Sequence, residues 1–197
     1  NNEVPFREDQ TPDPISPYSA SKYAAEVFCA LFQKTFRLPI AILRLFNPYG
    51  ECQRTNFLIP SVIVACLLKK ELKMTKGEQT REFNYVEDIV DGMIRAATIK
   101  RAIGEVINLG CGLEHTVREV AEKIVGMMGN PIKLSFGAVP YRKNEIWRMF
   151  CDNAKAKSIL GWKPKYTLDA GLRKTINWYV KEFEKDKESF LKTLTVA

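Results

Sequence analysis

Residues 16–22 read Ser16-Pro17-Tyr18-Ser19-Ala20-Ser21-Lys22, and after a run ending at Phe36 the chain continues Leu38-Pro39-Ile40-Ala41-Ile42-Leu43-Arg44-Leu45-Phe46-Asn47-Pro48-Tyr49-Gly50. A serine at the cap can accept from the first free amides of a helix, and proline suits the next position because its missing N–H would be unpaired there anyway. Tyr23, Val27, Ala30, Leu31 and Lys34 then recur at three-to-four spacing, which predicts a helix of about five turns ending before Pro39. Leu38 to Phe46 is nearly all apolar, broken only by Arg44, the pattern of a strand buried on both faces. Asn47-Pro48-Tyr49-Gly50 closes it as a turn. Helix then buried strand is the signature of an α/β chain.

The pattern continues in both directions. Upstream, Pro5, Pro12, Pro14 and Pro17 forbid a helix over the first 17 residues and predict an extended surface loop. Downstream, helices are predicted over 57–68, with Pro60 in the first turn, over 87–98, over 116–128, over 153–160 and over 168 to about 191. The third of these carries Thr116 and Glu119, a capping box, and Gly161 stops the fourth. Strands are predicted over 72–75, 81–86, 105–109 and 133–136. No repeat or linker divides the chain.

Its 197 residues are 46% hydrophobic, too apolar for a disordered chain and sufficient for a core. No apolar stretch approaches the roughly 18 residues of a membrane span, and the N-terminus lacks a signal pattern, so a soluble, cytoplasmic protein is expected, with no membrane partner. Lysine and arginine number 30 against 23 acids, a formal charge of +7, but the charges are dispersed. No nucleic-acid partner is expected, because that would need basic residues gathered on one face. Cys29, Cys52, Cys66, Cys111 and Cys151 form no Cys-x-x-Cys pair and stand mostly in or beside apolar runs, which predicts buried thiols rather than disulfides or a metal site. His115 lacks a neighbouring ligand cluster and reads as a surface or capping residue.

Tyr18 and Lys22 stand four apart, on one face of the first helix. An ammonium beside a phenol favours the phenolate, the form a general base needs. Tyr-x-x-x-Lys also arises by chance in many helices, so the pair is informative only in company. That company exists: Ser16 to Lys22, then Arg44-Leu45-Phe46-Asn47-Pro48-Tyr49-Gly50, then Gln79-Thr80-Arg81-Glu82-Phe83-Asn84-Tyr85-Val86-Glu87-Asp88, then Asn108-Leu109-Gly110, then Asp152 with Leu160-Gly161-Trp162-Lys163-Pro164.

In order and spacing these five motifs resemble the extended short-chain dehydrogenase/reductases that act on nucleotide sugars, the epimerases, 4,6-dehydratases and decarboxylases. The resemblance runs over essentially the whole chain. It implies the C-terminal part of a Rossmann-type parallel-sheet domain plus a smaller mixed α/β substrate-binding domain. Residues 1–50 would be the remnant of the NAD-binding domain, carrying the catalytic helix, and 51–197 mainly the nucleotide-sugar domain, with 81–100 returning to the Rossmann domain. It also implies NAD as cofactor, a nucleotide-diphosphate sugar as substrate and a keto-sugar intermediate, as in an isomerase or lyase. Tyr18 then matches the base, and Lys22 the partner that also bonds the nicotinamide ribose, so both count as catalytic and cofactor-binding. Asn47, Asn56, Arg81 and Arg142 match substrate residues, the arginines because planar guanidinium donors pair bidentately with phosphate oxygens. Either arginine could equally be half of a structural ion pair.

One departure lies near the end. Arg142-Lys143-Asn144-Glu145 replaces the Arg-Pro-Gly-Asp common in the family, and Met149 falls where some epimerases gate sugar size. The Gly-x-x-Gly-x-x-Gly turn that meets the NAD pyrophosphate is not in this sequence. Gly110-Cys111-Gly112 follows a strand, but His115 occupies the third glycine position and Ile132 or Lys133 stands where the ribose acid belongs. The expectation is therefore the C-terminal portion of a longer enzyme, inactive until an N-terminal Rossmann portion with the third catalytic residue completes it. A homodimer through the helix carrying Tyr18 and Lys22 is also expected. The alternative is a non-catalytic nucleotide-sugar-binding or interaction protein.

Overall fold

A computed structural model of the chain describes residues 3–188 and 190. Helix α1, Pro17–Phe36, begins as the sequence predicts: Ser16 Oγ accepts from Ser19 N at 3.1 Å and Ser19 Oγ from Ser16 N at 3.0 Å. Strands β1, Ile42–Leu45, and β2, Pro48–Tyr49, follow, then helix α2, Leu58–Leu68, with Pro60 in its first turn. Next come β3, Leu72–Met74, β4, Thr80–Glu82, and β5, Asn84–Tyr85, before helix α3, Val86–Thr98. A 3-10 turn at Lys100–Ala102 leads to β6, Val106–Leu109, and β7, Glu114–Thr116. Helix α4, Val117–Met127, opens with the predicted Thr116–Glu119 capping box. Strands β8, Leu134–Phe136, and β9, Arg148–Met149, precede α5, Ala154–Leu160, and α6, Leu168–Lys185. The long final helix predicted to about Leu191 is interrupted at Asp186, and its last residue lies outside the described residues.

Pairing is mostly parallel, as in an α/β fold. β1 runs parallel to β6, with Ile42 opposite Val106 and Leu45 opposite Leu109. β2 runs parallel to β5, and β3 to β8. β4 lies between β7, antiparallel, and β9, parallel. Two apolar cores result. The larger gathers α2, α4 and α6 around Ile59, Val62, Ile63, Val120, Ile124 and Leu172. The smaller packs α3 and α5 on β6 around Ile89, Ile107, Leu109, Leu160 and Trp162. Trp162 donates its indole N–H to Asp88 O at 2.9 Å, and the Asp88 carboxylate accepts from Lys165 N and Tyr166 N at 2.9 and 3.1 Å. That buried acid is satisfied by backbone amides, which ties the Leu160–Pro164 motif to the 79–88 motif.

Four local expectations need correction. The strand predicted over 81–86 is broken at Phe83, and its two pieces take different partners. Asn47–Gly50 contains a strand, because β5 offers Pro48 and Tyr49 a parallel partner. β1 is only half-buried, with Leu45 exposed, since β6 is its sole strand partner among the described residues. The thiols are not uniformly buried either: Cys66 and Cys151 are, Cys29 and Cys111 are half-buried, and Cys52 is exposed. No helix of the described residues is long and apolar enough to cross a membrane.

Candidate active site

One cavity of about 1390 Å³ takes its walls from the N-terminal loop, α1, β1, the loop after β1, the start of α2, β4 and the 139–149 segment. Tyr18, Lys22, Asn47, Arg81 and Arg142, which the sequence scatters over 125 positions, all line it. Asn56 is exposed and is not part of the lining, although Phe57, Leu58 and Ile59 beside it are. Met149 lines the cavity as well.

Tyr18 and Lys22 face one another on the first turns of α1, with Lys22 Nζ 5.5 Å from the centre of the Tyr18 ring. Tyr18 is 72% exposed, so its phenol is open to the cavity. One turn on, Glu26 receives both arms of Arg44 from β1, Nε to Oε1 at 3.0 Å and Nη2 to Oε2 at 2.8 Å. The best-covered residues of α1, Ser19, Tyr23, Glu26, Cys29 and Gln33, form one stripe at three-to-four spacing. Val27 and Leu31, whose spacing helps predict the helix, face solvent. The polar stripe wins the inward side because that side is the cavity wall.

Opposite α1, Arg81 is held by protein groups. Its Nη1 donates to Thr80 O and Ile146 O at 2.7 and 2.5 Å, and its Nη2 to Glu145 Oε1 at 2.7 Å. Both partners of the pair are largely covered, with side chains 15% and 12% exposed. Burial lowers the Arg81 pKa, the attraction of Glu145 opposes that, and the nearby Arg142 guanidinium adds to the lowering. Two guanidinium groups thus stand near one another, one paired and largely covered, the other exposed. An anion placed between them would relieve their mutual repulsion.

Beneath Arg81 the strand is pinned by Glu82, fully buried. Its two oxygens accept from Cys151 N and Gly112 N, each at 2.8 Å. Burial raises the Glu82 pKa, and those amides partly offset it. A side chain at Gly110 would strike both Glu82 oxygens at 2.5 Å, so this glycine is required by close approach. Cys111 N donates to Asn84 Oδ1 at 2.7 Å. The Gly110–Gly112 turn therefore spends its amides on Glu82 and Asn84, consistent with a tight turn rather than a phosphate cradle. His115, predicted in that turn, lies instead on β7 opposite Arg81. Burial pushes the Cys111 thiol up to about 11, which leaves it a poor nucleophile at neutral pH.

Among the described residues, three buried side-chain polar atoms lack a hydrogen-bond partner: Asn47 Nδ2, Gln79 Oε1 and Asn108 Oδ1. All three residues line the cavity. Unpaired buried donors and acceptors are costly, and their confinement to one cavity marks it as built for a polar ligand. Asn47 was legible in the sequence; Gln79, Asn108 and Glu145 were visible only as members of motifs, and Glu26 had no local signal.

A cavity walled by a helix-borne Tyr–Lys pair and two guanidinium groups, in an α/β fold with parallel pairing, is the arrangement expected of the short-chain dehydrogenase/reductase class. Comparison with known proteins agrees. Residues 1–175 match the family described as GDP-mannose 4,6 dehydratase, and the chain belongs to it. It is 32% identical to UDP-glucuronate 4-epimerase of Thermodesulfobacterium geofontis over 91% of this chain and 55% of that protein. Among solved structures, UDP-glucose 4-epimerase of Thermotoga maritima with UDP-glucose superimposes with a TM-score of 0.88 at 30% identity, over 93% of this chain and 60% of that one. The dTDP-glucose 4,6-dehydratase of Bacillus anthracis in complex with NAD gives 0.82 at 31% identity, over 93% and 58%. The chain spans a little over half the length of the curated relatives it matches.

Proposed function

We propose that the protein is an NAD-dependent epimerase or dehydratase, an isomerase or lyase, acting on a nucleotide-diphosphate sugar through a keto-sugar intermediate. The observation that carries the reading is the cavity in which the Tyr18–Lys22 pair, the Arg81–Arg142 pair and all three orphaned buried polar atoms converge. At about 1390 Å³ it exceeds the roughly 300–1,000 Å³ of an ordinary small-molecule site, which suits two ligands side by side. The relatives' names point the same way, and nothing favours the non-catalytic alternative.

NAD, when bound, supplies a hydride acceptor beside the sugar carbon. The residues of α1 fit its nicotinamide-ribose end: Lys22 carries an ammonium donor and Tyr18 an open phenol on the cavity wall. In our reading Tyr18 takes the proton from the sugar hydroxyl and returns it when the keto group is reduced. Lys22 holds its ammonium beside the Tyr18 ring. Arg81 and Arg142 hold the diphosphate, and Asn47 Nδ2 donates to the sugar or diphosphate. Asn56, outside the lining but next to Phe57 which is part of it, is assigned to the diphosphate.

The pyrophosphate end of NAD calls for a glycine-rich turn, so turnover is assigned to the protein completed by an N-terminal Rossmann portion, with this chain inactive alone. The same reading assigns 1–50 and 81–100 to the cofactor domain and most of 51–197 to the substrate domain. It also makes the protein cytoplasmic, and a homodimer through the apolar face of α1, where Phe28, Leu31 and Phe32 stand exposed. Sedimentation showing only monomer would refute the dimer. The central test is Tyr18→Phe in the full-length protein, assayed with NAD and UDP- or dTDP-sugars. Turnover is expected to vanish with substrate affinity changed less than about threefold, the mark of a group used only in the transition state. Retained turnover overturns the assigned base.

A further inference from the structure

Lys22 has two candidate partners on its own helix: Tyr18 four residues before it and Glu26 four residues after it. Side chains at i and i+4 are neighbours, and a carboxylate attracts an ammonium more strongly than a neutral phenol does. Left to themselves, Lys22 and Glu26 would pair and the ammonium would turn away from the tyrosine. In the structure Lys22 makes no ion pair among the described residues and lies over the Tyr18 ring at 5.5 Å. Glu26 is held elsewhere, one oxygen on Nε and the other on Nη2 of Arg44. The pair is largely covered, with side chains 22% and 21% exposed, so water screens it little. A fork-to-fork guanidinium pair also offers a carboxylate better geometry than a single ammonium does.

We infer that Arg44 is a positioning residue for the reaction: by holding Glu26 in a bidentate pair that neutralises its charge, it keeps the Lys22 ammonium free for Tyr18. Glu26 then serves to anchor α1 to β1 without capturing the lysine. The inference rests on the proposed role of Tyr18 and Lys22, and it adds a residue that never touches the reacting atoms.

The test is a set of variants of the full-length protein. In Arg44→Met, Glu26 loses its partner, and turnover is expected to fall about tenfold or more, within the range that general-base catalysis contributes. In the double variant Glu26→Gln with Arg44→Met, the competing charge is gone, and turnover is expected to recover to within about threefold of the parent although the tie to β1 is still missing. A double variant as slow as the single one would show that the pair is only a structural tie and overturn the inference; so would an unimpaired Arg44→Met. Should Arg44→Met not fold, Arg44→Lys replaces it, with a smaller loss expected and the same rescue by Glu26→Gln.

A crystal structure of the single variant gives a readout independent of turnover. Lys22 Nζ is expected within salt-bridge distance of Glu26, and a lysine still over the Tyr18 ring overturns the inference. Tyr18→Phe separates the two claims: if it remains active the assigned base is wrong, while the movement of Lys22 towards Glu26 in the Arg44→Met crystal stands or falls by itself.

Discussion

Helices α1 and α2 are made by different forces. α1 has 20 residues, a reciprocal Ser16–Ser19 cap and a proline at its start, yet none of its residues is buried. α2 has 11 residues and no side-chain cap, yet Ile59, Pro60, Val62, Ile63, Val64, Ala65 and Cys66 are all buried. α2 exists because its neighbours cover it; α1 exists through local signals and touches the rest of the chain with a polar stripe. The helix that carries the chemistry is thus the one least held by apolar packing. Its position rests on few contacts, of which the Arg44–Glu26 bridge is the most specific.

The sharpest break of that contrast is in α2. Ile63 is fully buried among α2, α4 and α6, and Ile63→Ala is expected to cost about 2–5 kcal/mol in urea unfolding through lost burial and the cavity left behind. A loss under about 1 kcal/mol would mean that this core is loosely packed.

A charged group in the interior gives a second handle, through pH. Burial raises the Glu82 carboxyl above its ordinary 4.5, so its contribution is fully present below that value and is lost as pH rises through the folded value. Glu82→Gln removes the titration and keeps an acceptor for one of the two amides, Cys151 N or Gly112 N, at the cost of an NH2 facing the other. Relative to the parent, the glutamine variant should therefore gain stability as pH rises from about 4.5 to 7. Parallel stability curves over that range would show that the amides fully compensate the buried charge.

What could be read in advance follows the same division. The cap of α1, the Thr116–Glu119 box and the Gly161 stop are local chemistry, and the structure has each where the sequence places it. β2, β7 and β9 are two or three residues long, too short for a period, and exist only because a distant strand runs beside them. The same holds at the site. Tyr18, Lys22, Asn47, Arg81 and Arg142 sit in motifs and converge in one cavity. Glu145 reaches Arg81 across 64 positions and Glu26 reaches Arg44 across 18, distances over which no sequence pattern links an acid to its base. The facing of α1 is not legible in advance for a related reason: periodicity finds an apolar stripe but does not say which side meets the rest of the chain.

Smaller effects belong to α1 itself. Ser16→Ala removes the acceptor for Ser19 N and is expected to cost about 1 kcal/mol. The loss should appear as early fraying at Tyr18 and Lys22 in amide exchange, since both lie in the first turns.

The smallest expected effect is the most telling. Phe28 is 60% exposed and stands with Leu31, Phe32 and Phe36 on the side of α1 turned away from the cavity. In an ordinary surface helix this stripe would be the buried one. If nothing within the monomer covers it, Phe28→Ser should change the unfolding free energy of the dilute monomer by less than about 0.5 kcal/mol, as at other surface sites. The same substitution should weaken the proposed dimer, because the exposed rings are what a second copy of α1 would bury. Sedimentation and urea unfolding on the one variant therefore read the two roles of this helix separately. A large loss of monomer stability with unchanged association would mean that the monomer covers this face itself, and α1 would then be held by apolar packing as α2 is.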